Sequence, residues 1–153
     1  LGGDLVVAKI TFDGLDLYSE EITKLGDKLP KLIDAALYEG AKVVADQTQK
    51  EIEGLTELPP EARQGLHTGL GVAHFWRDGG ATVTKIGFEG YNTKRTKRWP
   101  NGQPNAMIAR SLIRGTSWLQ PNRFTARAAK KARQAAVEAM QRRLDEDIKK
   151  LTT

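Results

Sequence analysis

The chain has 153 residues, a formal net charge of +5 and no cysteine, a length that suits one domain over residues 1–153. Hydrophobic residues at 39% and charged residues at 28%, with 15 glycines, are ordinary globular values and exclude wholesale disorder. The lack of cysteine excludes disulfides, thiolate metal sites, iron–sulfur clusters and cysteine nucleophiles.

No apolar run approaches the length of a membrane span, and Asp4, Asp13, Asp16 and Glu20 stand where a signal peptide would be apolar and basic. A soluble, untargeted protein is expected. The start at Leu1 without a methionine points to a processed or engineered N-terminus, so Leu1 to Asp4 carry no weight.

Leu5 to Phe12 is short and β-branched and ends at the turn signal Asp13-Gly14, which predicts a strand. Leu15, Leu17, Tyr18, Ile22 and Leu25 then fall near a helical repeat, predicting a short helix over Asp16 to Leu25. A long helix follows from about Lys28 to Glu53. Asp27 is its candidate cap, Pro30 is tolerated in its first turn, and an apolar stripe runs from Leu29 through Ile33, Leu37, Gly40 and Val44 to Ile52. Leu55 to Gly69 contains Pro59, Pro60 and Gly65 without periodicity and reads as a long mobile loop. Leu70 to Trp76 and Ala81 to Phe88 read as an antiparallel hairpin turned at Asp78-Gly79.

Tyr91 to Pro104 reads as a basic loop, and Asn105 to Arg114 as a short helix stopped by Gly115. From Asn122 to about Leu151 the chain is alanine-rich, with one narrow apolar stripe. A helix of that length extends about 43 Å, against a diameter of about 38 Å for a compact domain of this size. Either it overhangs its own core or it frays, and an overhanging helix would offer Ala128, Ala132, Ala136 and Met140 to a neighbouring subunit.

Catalytic signals are sparse. His67 and His74 are the only histidines, one in the predicted loop and one in a strand, so they lack the spacing of a metal pair. The glycine-dense stretch Gly65 to Gly71 is followed by no Lys-Ser or Lys-Thr and preceded by no strand, so it matches neither phosphate-binding fingerprint. Ser19, Ser111 and Ser117 lack a nucleophile-elbow setting. No enzyme, cofactor, metal or catalytic residue is expected.

Charge is more informative than chemistry. Residues 1–89 hold 9 basic and 15 acidic groups, residues 90–137 hold 11 basic groups and no acid, and residues 138–153 hold 4 of each. Lys94, Arg95, Lys97 and Arg98 beside Tyr91 and Trp99, continued by Arg110 and Arg114 and reaching Arg133, combine cations with aromatic rings. No helix-turn-helix, zinc-finger or RNA-recognition signature accompanies them. Contact with the acidic half of a neighbouring copy, sequence-blind contact with DNA, and plain solubility all remain open.

The order of motifs resembles a known family. Ile10-Thr11-Phe12-Asp13-Gly14-Leu15, the Ala/Val-rich stretch Ala35 to Gln47, Thr68-Gly69-Leu70 before a hairpin, and Gly115-Thr116 followed by Pro121 and Phe124 carry the likeness. They are similar to the small tail-component proteins of long-tailed bacteriophages, which act at the neck between head and tail or in tail completion. Tyr91 to Pro104 looks like an insertion. The resemblance implies a virion protein assembled in the host cytoplasm, located in the tail or at the head–tail junction. Other connector or tail proteins would be its partners, in a homo-oligomeric ring around a DNA channel, without catalytic residues. The fold expected is α+β: a small antiparallel sheet packed against two long helices, with a mobile loop over residues 55–69 between the first long helix and the hairpin.

Overall fold

The computed structural model describes residues 5–12, 26–78 and 81–152. The described elements are β1 (Leu5–Phe12), α1 (Leu29–Glu53), α2 (Pro60–Gly69), β2 (Leu70–Val72), β3 (Trp76–Asp78), β4 (Ala81–Phe88), α3 (Asn105–Arg114) and α4 (Phe124–Thr152). The class is α+β. The predicted helix over Asp16 to Leu25 and most of the turn after Asp78 lie outside the described residues.

β4 is the centre of an antiparallel sheet, with β1 on one edge and β2 and β3 end to end on the other. Val72 faces Ile86 and Trp76 faces Val83, so three residues of the edge strand oppose two of β4. This bulge breaks the single strand expected over Leu70 to Trp76. Its backbone is still satisfied: Ala73 N–H donates to Lys85 O at 2.7 Å, and the Thr84 hydroxyl donates to Ala73 O at 2.9 Å. Residues 82, 84, 86 and 88 alternate onto one face of β4, and Ile86 and Phe88 carry that face into the core.

α1 and α4 run antiparallel along their whole length. Ile52 shares a cluster with Phe124, Val44 with Ala132 and Ala136, and Leu37 with Met140 and Leu144. Charged staples fasten the pair at the C-terminal end of α1 and near its middle. Glu51 accepts from Arg127 at 3.3 Å and Lys131 at 2.7 Å, and Arg143 reaches Glu39 at 3.1 Å and Asp147 at 2.9 Å.

Three expectations need correction. Asp27 does not cap α1: it sits in a 3₁₀ turn over Gly26–Lys28, and the N-cap is Lys28, without a side-chain hydrogen bond. Residues 60–69 are helical rather than looped, because Pro60 occupies the first turn, where a missing N–H is harmless, and Ala62, Gly65, Leu66 and Gly69 form a buried face at helical spacing. The stripe Ala128, Ala132, Ala136 and Met140 is 0%, 3%, 5% and 9% exposed within one chain, so α1 already covers what was expected to meet a neighbour. The long helix has a partner of comparable length and does not overhang alone.

Candidate interaction surface

The basic segment is built on two buried asparagines. Asn92 Oδ1 accepts from the N–H groups of Lys94 and Gln103, both at 2.9 Å, and Asn92 N–H donates to Gln103 O at 2.8 Å. These bonds, with an antiparallel bridge between Tyr91 and Pro104, pinch the loop shut at its base. At its tip Thr96 N–H donates to Trp99 O and Trp99 N–H returns to the Thr96 hydroxyl, both at 3.0 Å. The excursion from Tyr91 to Pro104 is therefore an ordered scaffold that turns Arg95, Lys97 and Arg98 outward. The Arg98 guanidinium lies 5.6 Å from the centre of the Trp99 ring.

Asn105 secures the other side. It is 2% exposed, and its Nδ2 donates to Glu89 O at 2.9 Å. α2 lies directly on it: a Cβ at Gly65 would collide with Asn105 Oδ1, and one at Gly69 with Glu89 O. Gly65 and Gly69 are thus close-packing positions that let α2 rest on the base of the basic loop. Buried Asn105 Oδ1 has no hydrogen-bond partner and points at the Gly65 backbone instead.

α3 carries the basic field onward. Arg110 and Arg114 are four residues apart and share the helix side away from buried Ala106, Ala109 and Leu112. Of the eleven basic residues in 90–137, Arg127 and Lys131 are spent on Glu51, whereas the other nine make no ion pair among the described residues. The hydrogen bond from Lys131, seconded by Arg127, holds the Glu51 carboxyl below its ordinary value against a smaller opposing effect of burial.

Trp118 escaped the sequence reading. It is 93% exposed, on the turn between α3 and α4. It belongs to no periodic stripe, and the available signal was a tryptophan between the helix-stopping Gly115 and Pro121. Both histidines are exposed, and among the described residues no group of three or more metal-ligating side chains converges. No described helix is long and apolar enough to cross a membrane.

Comparisons with protein-family models, with curated proteins and with solved structures find no match.

Proposed function

We propose that this chain is a structural virion protein of the neck or tail-completion type, forming a homo-oligomeric ring at the head–tail interface of a long-tailed bacteriophage particle, without catalysis. The support is where the resembling motifs fall. Ile10-Thr11-Phe12 closes β1, Thr68-Gly69-Leu70 spans the switch from α2 to β2, Gly115-Thr116 ends α3 with Gly115 at φ +80°, and Phe124 opens α4. These four mark element boundaries, as residues that specify a shared chain path would, while Ala35 to Gln47 lies inside α1. The unpaired cations suit such a role, since a ring neighbour can present the net-acidic residues 1–89 and a channel can present DNA. Deleting the gene from the phage or prophage that encodes the chain should leave heads and tails unjoined under the electron microscope. Complete particles of normal yield from the deletion would overturn the proposal.

A second reading, sequence-independent nucleic-acid binding through residues 94–133, rests on the ordered display of Arg95, Lys97 and Arg98 beside the partly exposed Trp99. Replacing Lys94, Arg95, Lys97 and Arg98 with glutamine should abolish duplex-DNA binding and remove about 3 to 4 units of its salt slope. Absence of binding by the unaltered chain at low salt eliminates this reading.

A further inference from the structure

Two of the three tryptophans lie in the acid-free stretch 90–137, and both stand on turns of one design. As Thr96 does with Trp99, Thr116 N–H donates to Leu119 O, at 2.9 Å, and its hydroxyl accepts from the N–H groups of Trp118 and Leu119, both at 3.1 Å. Leu119 packs on the core cluster of Leu55, Leu58 and Phe124, and Asn122 N–H donates to Leu112 O at 2.8 Å, closing the excursion at its base. The backbone is held while the Trp118 indole, 93% exposed, stands in water. Arg114 and Arg123, each within two residues of that closing bond, flank the turn, and neither makes an ion pair among the described residues.

The aromatic turns stand at opposite ends of α3. Tyr91, 67% exposed, bridges Pro104 at the start of the helix, and the Trp118 turn follows its end. α3 is ten residues long, about 15 Å, and carries Arg110 and Arg114 between them. Glu89, exposed two residues before Tyr91, and Glu57, which accepts from the Asn122 side chain at 3.2 Å, bring two carboxylates to this path. Against them stand nine cations of residues 90–137 without an ion pair among the described residues, so the path is net positive.

Cations alone serve duplex and single strand alike, because both present phosphates. Exposed aromatic faces discriminate between them: a duplex base is already stacked between its neighbours, whereas an unpaired base has a free face that an indole can cover. Arg98 lies against one side of the partly exposed Trp99, which leaves Trp118 the freer ring. We propose that Trp118 is a stacking platform for an unpaired base of single-stranded nucleic acid, with Arg114 and Arg123 taking phosphates beside it and the strand continuing past Arg110 towards the basic loop. The platform rests on the nucleic-acid reading of residues 94–133. It adds to that reading the strandedness of the ligand and a residue that no count of cations would reveal.

The test uses the full chain in anisotropy titrations over a salt series, with labelled oligo(dT) of about 20 nucleotides and a mixed-sequence duplex of equal length. Oligo(dT) should bind at least about tenfold more tightly than the duplex and should quench tryptophan emission. Trp118→Ala should weaken oligo(dT) binding at least about fivefold while leaving duplex affinity, salt slope and thermal midpoint unchanged. Trp118→Phe, which restores an aromatic face, should keep most of the affinity and lose most of the quench. Arg114→Gln with Arg123→Gln should instead lower the oligo(dT) salt slope by about 1.4 units. Oligo(U) is the second arm: affinity equal to that of oligo(dT) supports a platform for unpaired strands of either sugar, and tighter binding of one supports that strand as the ligand. Equal affinity for oligo(dT) and duplex, or unchanged oligo(dT) binding by Trp118→Ala, overturns the platform and leaves the reading of the cations standing. Binding of neither probe at low salt overturns both.

Discussion

Gly40 of α1 lies so close to Met140 of α4 that a Cβ on Gly40 would stand 2.7 Å from Met140 Cγ and 2.8 Å from its Sδ. This closest approach explains a glycine in mid-helix, which otherwise costs about 1 kcal/mol relative to alanine. Gly40→Ala recovers that propensity but overpacks the crossing, so a net loss of about 1 kcal/mol is expected in urea denaturation. Gly40→Leu should lose more than about 3 kcal/mol. Combining Gly40→Ala with Met140→Ala should cost less than the sum of the two single changes, because the second removes the atoms the first strikes.

The glycines of α2 and β2 separate packing from propensity. Gly69→Ala drives a methyl into Glu89 O and to 2.6 Å from Asn105 Nδ2, and should destabilise by about 3 kcal/mol through overpacking and a lost hydrogen bond. Gly71, two residues on, has nothing within 4 Å of its would-be Cβ. Gly71→Ala should be neutral or stabilise by up to about 0.5 kcal/mol. Chemical denaturation of the two variants side by side checks the contrast.

Glu51 links stability to pH. Its side chain is 11% exposed and its carboxyl is held below the ordinary 4.5 by Lys131 and Arg127. A depressed carboxylate contributes fully above its unfolded value and loses that contribution as pH falls through the folded one. Both partners are half-exposed, which limits the effect to about 0.5–1 kcal/mol. Glu51→Gln should therefore lower the thermal midpoint at pH 7, and the difference should shrink in acid as the pH falls through the depressed folded value and the native carboxyl takes up its proton.

Scaffold and display in the basic loop should respond differently. Glutamine at Lys94, Arg95, Lys97 and Arg98 together should leave the thermal midpoint nearly unchanged, since surface changes stay within about 0.5 kcal/mol each. Asn92→Ala removes the acceptor of two backbone N–H groups at a position 4% exposed, and should destabilise by about 2 kcal/mol. Circular-dichroism melts resolve the two outcomes.

Much of the local structure is legible in the residues themselves. Leu5–Phe12, Ala81–Phe88 and Asn105–Arg114 are elements with the bounds that β-branching, alternation and the stopping Gly115 indicate, and α1 begins one residue later than its periodicity suggests. α2 was not legible, because three of its four buried positions are alanine or glycine and leave almost no mark in a hydrophobic pattern. Asn92 and Asn105 were equally silent: a polar residue reads as surface until the backbone groups that occupy its amide are brought within reach.

The sequence alone determines which residues of α4 leave water, since a stripe at helical spacing must be covered by something. It does not determine what covers them. Ala128, Ala132 and Ala136 fit closely against any helix of small residues, in the same chain or in a neighbour, and nothing in their spacing distinguishes the two. The tertiary structure decides for α1, because the two helices are of comparable length, Gly40 admits Met140, and Glu51 and Glu39 meet cations of α4. With the stripe consumed inside the chain, the surface left for partners is the one no periodicity announced: unpaired cations on a pinned loop and an indole on a pinned turn, both fixed by hydrogen bonds between residues distant from any apolar stripe.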